Sequence, residues 1–439
     1  MSGTQVVRDV VFLINFKQDI NLKTKQIGHG ETERIKMANI VKLKHLEHIE
    51  DEMLNYGTDG CEAAVRFMQE LVKMLGKKSS SAFLQTKWDG APSVVCGIDP
   101  GSKMFFVGNK SVFNKTQAKL CFTQDDIEFY YSEQRGLADK LSACLKYFPQ
   151  LGIKGVIQGD LMFTSEDKKQ ESIDGQELIT FKANTITYGI PKDHPIGKEV
   201  SQAKIGVVFH THYNGTSLDT MSAAAGAPVD QFSKTTDVAV IKNDTPINDV
   251  AMDKMHLQTF TNNVREIESM CKKSGDFLDH LVDNMGTTGD KKFHVASYLK
   301  QFFNAEIRES RKIGDPKIAL KNIGEFYHAK MTKEVDKMKS APKIAERRKQ
   351  MYDGIQYLED NSDKFTAMFN LYRTIQDTKQ IVIDALDSLE QFKTYALTPN
   401  GYRTTTPEGY VLHHDGDMIK LVNRLEFAFI NFTLDKSWK

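Results

Sequence analysis

"FLQTKWDGAPSVVCGIDP", residues 83–100, decides how the chain is read. A run of strand formers ends in Lys87-Trp88-Asp89-Gly90, and after Ala91-Pro92 a second run of strand formers begins. A strand ordinarily closes in turn residues alone. This one delivers a lysine and an acid to a single bend, beside a glycine that leaves room for something to come close. Strand alternation puts Trp88 opposite Lys87 and Asp89, so its ring is predicted to pack into the core.

Outward from this stretch the same period of two continues. "MFFVGNKS", "GVIQGDLMF", "ELITFKANTITYGI" and "KIGVVFHTHY" carry it to about residue 213, with "DPGSK" (99–103) as a turn and a helix over 125–147. Upstream, "TDGCEAAVRFMQELVKMLG" has helical spacing, with Asp59 as N-cap, Glu62 three residues on and Gly76 as stop. Residues 1–44 offer one short apolar strand at 10–16 and the polar loop "GHGETER". A loop-rich connection spans 216–249. From about 250 to 395 the period is helical again: Phe260, Val264, Ile267 and Cys271 form one stripe, and Phe365, Met368, Tyr372 and Ile375 another. Within it, residues 304–350 hold 13 Lys/Arg against 7 Asp/Glu. "EGYVLHHDGDMIKLV" (408–422) then reads as a hairpin, because Asp415-Gly416 tolerates the positive φ angles of a tight turn. The predicted fold is α+β: an antiparallel-rich core, interrupted by a large α-helical insertion and preceded by an N-terminal helical segment. The predicted boundaries are 1–76, 77–215, 216–395 and 396–439.

Composition narrows the function classes. With 439 residues, 40% hydrophobic and 26% charged, the chain suits a soluble protein of more than one domain. Its formal net charge of zero means that nucleic acid would have to meet a local basic surface. No apolar stretch approaches the roughly 20 residues that span a bilayer, so no membrane partner is expected. Five scattered cysteines without CxxC spacing predict reduced thiols, neither disulfide nor zinc site, and a cytoplasmic location. His210 and His212 alternate on one strand, and His413-His414 flank the hairpin turn. They are expected to be structural or substrate-contacting histidines rather than metal ligands.

Four pieces of the core carry chemistry together: "KWDG" (87–90), "VGNKS" (107–111), "QGDLMF" (158–163) and "PEGYVLHHDGDMIKL" (407–421). In this order they resemble the motifs of the covalent nucleotidyltransferase superfamily, the ATP-dependent RNA and DNA ligases and messenger RNA capping enzymes. The broader arrangement looks like ligase-like proteins of tailed bacteriophages, which would place the protein in a host-cell cytoplasm. The resemblance covers 82–213 and 400–424. It implies that Lys87 is the nucleophile, attacking the α-phosphorus of ATP to give a lysyl-adenylate. Burial beside a second cation, Lys420, would lower its pKa. Glu408 and Asp160 would hold Mg²⁺ (or Mn²⁺) or the ribose. Asp89 would bind the sugar or orient the amine, and Gly90 would let the backbone approach the nucleotide. Phe209 would stack on the base, with Tyr188 as competitor. Asn109 or Lys110 would contact the phosphate of a nucleic-acid end.

The sequence departs from the family in places. "APS" follows KxDG where ligases usually carry an arginine; Val422 stands for the second lysine of the fifth motif, with Arg424 as substitute; and no OB-fold-sized segment follows Lys420. The missing OB-fold-sized segment favours an RNA-ligase-like enzyme or a divergent relative, while the substitutions bear on full ligation competence more than on the fold. They leave open capping, protein adenylylation, or an inert nucleic-acid-binding or virion-associated protein.

Overall fold

The computed structural model describes residues 46–427, except 244, 246–249, 251, 389–392, 399–400 and 406–407. The strand at 10–16 and the "GHGETER" loop lie outside the described residues. In chain order the elements are α1 (Glu52–Leu75), β1 (Phe83–Lys87), β2 (Ser93–Ile98), β3 (Phe105–Gly108), α2 (Gln124–Tyr131) and α3 (Arg135–Tyr147). Next come β4 (Val156–Thr164), β5 (Lys168–Ile173), β6 (Gln176–Lys182), β7 (Thr187–Pro191), α4 (Pro195–Gln202), β8 (Ile205–Asn214), β9 (Ser222–Ala225) and β10 (Val238–Val240). The helices α5 (Lys254–Asn284), α6 (Ala296–Arg308), α7 (Pro316–Asp336), α8 (Ala341–Asp360) and α9 (Ser362–Asp387) follow, then β11 (Lys393–Thr398), β12 (Gly401–Thr404), β13 (Gly409–His414) and β14 (Asp417–Leu421).

The protein is mixed α/β with mainly antiparallel strands. One sheet runs β10-β8-β4-β2-β3 with β9 on β8, a second runs β12-β11-β7-β6-β5, and a third is β1-β13-β14. Only β10 and β8 pair in parallel among the described ladders. Alternation along β4 and β8, broken by a β-bulge between Leu161 and Phe163, explains the layering. Ile157, Leu161, Val207 and Phe209 face α2 and α3, while Met162, Phe163 and Val208 face Ile179, Phe181 and Tyr188 of the second sheet. The connection after β8 is more ordered than predicted, because β10 and β9 pair with the two ends of the β8 edge that β4 leaves open, β10 at Ile205–Val207 and β9 at Thr211–Asn214.

The helices build a separate apolar core. The two stripes read from the sequence are buried there, and α1 packs into the same cluster, as do Leu84, Tyr410, Leu412, Ile419 and Leu421 of the third sheet. The N-terminal helix and the helices after 250 therefore share one hydrophobic interior. Among the described residues no helix is long and apolar enough to cross a membrane.

Three local expectations are corrected. α1 begins at Glu52, before Asp59, and bends where Gly57 adopts φ +60°. The capping acid there comes from another helix: Asp279 of α5 accepts the Thr58 N–H at 2.7 Å and its hydroxyl at 2.8 Å. The predicted helix over 125–147 is two helices, the first started by a Thr123–Asp126 capping box. Finally, Cys61 and Cys271 form a disulfide, their Cα atoms 5.9 Å apart, while Cys96, Cys121 and Cys144 are free and buried. The partners lie 210 residues apart and meet only because α1 packs on α5, so spacing gave no warning.

Candidate functional site

The site grows from the third sheet. β1 pairs antiparallel with β13, placing Lys87 opposite Gly409, and β13 pairs with β14, placing Val411 opposite Lys420. Leu84, Leu412 and Ile419 fall on the face that meets the helices, so Gln85, Lys87, Val411 and Lys420 share the other. The two-residue Asp415-Gly416 turn, both residues at positive φ, sets this register. It also explains how so short a spacing from Glu408 to Lys420 brings them together. Gly409 has φ +135°, and a Cβ there would lie 2.4 Å from the Leu421 carbonyl oxygen. The glycine of "EG" is thus a backbone requirement of the strand that aligns Glu408.

Glu408, just before β13, accepts a hydrogen bond from Lys87 Nζ across 321 residues of sequence. The pair is largely sheltered, with Lys87 25% and Glu408 10% exposed. Burial pushes the Glu408 carboxyl up to about 7, assisted by the Asp89 charge and opposed by Lys87 and Lys420. For Lys87 burial acts to lower the pKa, but Glu408, Asp160 and Asp89 outweigh it and hold the ammonium above its ordinary range. The expected depression of Lys87 is therefore corrected: three acids surround it. The depressed lysine is Lys420, lowered by burial and by the neighbouring Lys87 charge. The main chain of Lys420 is fixed from the N-terminal side, its N–H donating to the Glu47 carbonyl at 2.9 Å.

Asp160 comes from β4, opposite Ser93 in the register. Its carboxylate lies 3.5 Å from His210 Nε2. Burial would raise its pKa, but His210, Lys87 and Ser93 together hold it below the usual carboxylate value. A polar row runs back from it: Gln158 donates to Ser93 Oγ at 2.9 Å, and Tyr213 donates to Gln158 at 2.5 Å. Burial, and then the His210 charge, lowers the pKa of His413 on β13. Lys87, Glu408, Lys420, Asp160 and His210 are thus brought into mutual electrostatic range.

Other expected site residues have different work. Asp89 is buried and saturated: it accepts the Thr185 N–H at 2.8 Å, the Thr185 hydroxyl at 2.5 Å, the Ile186 N–H at 2.9 Å and the Asn184 amide at 2.8 Å. It ties the KWDG bend to the β6–β7 connection instead of meeting a sugar. Gly90 lets the bend approach β4, since a Cβ would lie 2.7 Å from Asp160 Cβ and 2.9 Å from Met162 Sδ. Phe209 is buried among Phe148 and Phe232, each ring 5.6 Å away, on the helix side of its sheet, so it offers no face to a base. Tyr188 is also buried; its hydroxyl accepts the Asp89 N–H at 2.8 Å and its ring leans on Trp88 at 5.2 Å. Trp88 packs against that core as alternation predicted.

Arg424 belongs to a buried charge cluster behind the sheet. It donates to Asp51 at 2.8 Å, Tyr372 at 3.0 Å and Asn304 at 2.9 Å, and it lies 3.7 Å from Glu50. Asn109 caps the turn that follows β3, accepting the Ser111 N–H at 2.8 Å. Lys110 is exposed at the same end of β2 as Ser93, because Val95 pairs with Gly108. His212 bonds the Gly226 carbonyl at 2.8 Å. Among the described residues no group of three or more His, Cys, Asp or Glu is placed to hold a metal ion. The residues that sequence reasoning missed are Ser93, Gln158 and Glu47. Their signal exists only in three dimensions, as strand neighbours of Asp160 and Lys420.

Fold and site together define a mixed α/β protein whose conspicuous chemistry is a sheltered Lys–Glu–Lys group at the mouth of a three-stranded sheet. The chain belongs to DUF6267, a family of unknown function whose pattern matches residues 39–436. No curated protein and no solved structure compared with it gives a match.

Proposed function

We propose that the protein is an ATP-dependent nucleotidyltransferase working through a lysyl-AMP intermediate at Lys87, and that it ligates polynucleotide ends, RNA in preference to DNA. The observation that carries this reading is the Lys87–Glu408 pair with Lys420 on the same sheet face. Lys87, 321 residues upstream of Glu408, is thus a neighbour of both Glu408 and Lys420, and the three resemble motif residues of the superfamily. The antiparallel sheets and the helical layer agree with such a core.

In this reading Lys87 Nζ gives its proton to Glu408, the carboxylate already bonded to it and with a pKa raised toward neutrality. The freed amine bonds the α-phosphorus of ATP, and the bond to pyrophosphate breaks. Lys420 compensates charge on the phosphate oxygens. The AMP then passes to a 5′-phosphate, regenerating the lysine, and an attacking 3′-hydroxyl releases it as the strand is sealed. Asp160, held ionised, is a hard oxygen donor that suits Mg²⁺, and Glu408 would join it only in the ionised state in which it does not carry the Lys87 proton; the ion would neutralise developing phosphate charge when bound.

One observation favours a second reading, an inert nucleic-acid-binding protein with the same fold: Lys87 is held as an ammonium by three acids. Incubation with α-labelled ATP and Mg²⁺ followed by a denaturing gel separates the two. Label on the wild type that disappears in Lys87→Ala supports the enzyme; no label on the wild type supports the inert protein. GTP in place of ATP tests capping, and added protein substrates test adenylylation.

A further inference from the structure

The basic stretch noted in the sequence occupies a particular place. α7 and α8 are joined by residues 337–340 and form a helical hairpin. Ile323, Tyr327, Met331 and Val335 of α7 are buried, and Tyr327 donates to the Gln350 carbonyl of α8 at 3.1 Å. α8, by contrast, buries only Gly354 and Leu358. Its first three turns, 341–353, contain no fully buried residue and lend the core only the partly buried Met351, so core formation dictates little of their composition.

That composition is strongly basic. Residues 329–350 contain eight Lys/Arg against three Asp/Glu, a net of +5 in a chain whose total is zero. Several of the charges are locally matched: Lys337 pairs with Glu334 at 3.1 Å and Lys349 with Asp353 at 2.9 Å. Arg347 lies over the Phe293 ring at 2.9 Å. Lys333, Lys339, Lys343 and Arg348 are exposed, and among the described residues no carboxylate is paired with them. Tyr352 is 67% exposed one helical turn beyond Arg348, on the same face. A large aromatic left open to water beside unmatched cations offers a base-stacking platform within a phosphate-binding field.

We propose that the α7–α8 hairpin is a binding surface for single-stranded polynucleotide. Arg348 contacts a phosphate on the face where Tyr352 stacks on a base, and Lys339 and Lys343, round the helix at its N-terminal end, contact phosphates further along the strand. This names how the substrate of the proposed reaction would be held, yet it does not require chemistry at Lys87.

The test is fluorescence anisotropy of the full chain with a labelled single-stranded RNA over a salt series. Charge reversal in Lys339→Glu/Lys343→Glu/Arg348→Glu should weaken binding at least tenfold near 0.1 M salt. It should also flatten the salt dependence of log K by about 2, since each phosphate contact on a single strand contributes roughly 0.7. Tyr352→Ala should weaken binding about tenfold with little change in that slope. Self-adenylylation with labelled ATP should be unchanged in both variants, so this inference and the proposed chemistry can fail separately. Wild-type protein that does not bind the RNA, or a charge-reversed variant that binds like wild type, would overturn the proposal. So would displacement of the RNA by polyglutamate at the charge equivalence of unlabelled RNA, which would mark an acidic protein as the partner.

Discussion

Replacing Lys379 by methionine tests how the candidate site is supported from below. Lys379 of α9 donates to both oxygens of Glu50, at 2.7 and 2.8 Å, and the two side chains are 3% and 0% exposed. Asp51 and Arg424 complete the cluster, two acids against two bases. Removing one partner of a buried pair strands the other charge, at a cost of about 3–5 kcal/mol. Arg424, 3.7 Å from Glu50, offsets some of this, so Lys379→Met should fall near the lower end, about 3 kcal/mol by urea denaturation at pH 7.5. The stranded carboxyl then has a folded pKa above its unfolded one. Such a group is least costly below the unfolded pKa and most costly once pH has risen through the folded value. The variant's deficit should therefore shrink on acidification toward pH 4. The neutral pair Glu50→Leu/Lys379→Met should recover most of the loss, because both charges leave together. A single variant within about 0.5 kcal/mol of wild type, or a double variant no better than the single, would refute the reasoning.

The loop and strand residues around the site give further expectations. His413 is buried and stacked on Phe83 at 4.4 Å, and burial followed by the His210 charge pushes its pKa down to about 4. Its stabilising contribution is present above the unfolded value near 6.5 and is lost as pH falls toward 4. Between pH 7.5 and 5 wild type should lose about 2 kcal/mol that His413→Leu does not, measured by denaturant titration at each pH. Asp89→Asn turns an amide donor toward the Thr185 and Ile186 N–H groups and should cost about 2–3 kcal/mol in a urea melt, whether or not nucleotide is present. Gly90→Ala crowds Asp160 and Met162 and should cost about 1–3 kcal/mol in the same measurement.

The strands were legible because their period of two survives burial: each predicted run from 82 to 213 holds strand, as does the 408–422 hairpin. The single run 177–190, however, divides into β6 and β7, and β5 was not foreseen. Lys87, Glu408 and Lys420 stood out in the sequence, and the register places Lys87 and Lys420 on one sheet face, with Glu408 bonded to Lys87. Asp89, Phe209 and Arg424 were misplaced for one shared reason. A residue type states what chemistry is possible, but only the fold states which neighbours use it up. Asp89 is consumed by four donors, Phe209 by ring packing and Arg424 by two acids, none of them near it in sequence. The same holds for the disulfide and for the Asp279 cap of α1. Likewise, the pKa direction of Lys87 followed from counting its acidic neighbours, and Asp160 comes from a separate strand.

Intact-mass spectrometry of the protein after ATP and Mg²⁺, followed by peptide mapping, tests whether Lys87 carries adenylate. The wild type should gain one adenylate, carried by the peptide that contains Lys87 and absent from Lys87→Ala and Lys420→Ala. An unchanged mass under turnover conditions, or an adenylate mapped to any other residue, would contradict it.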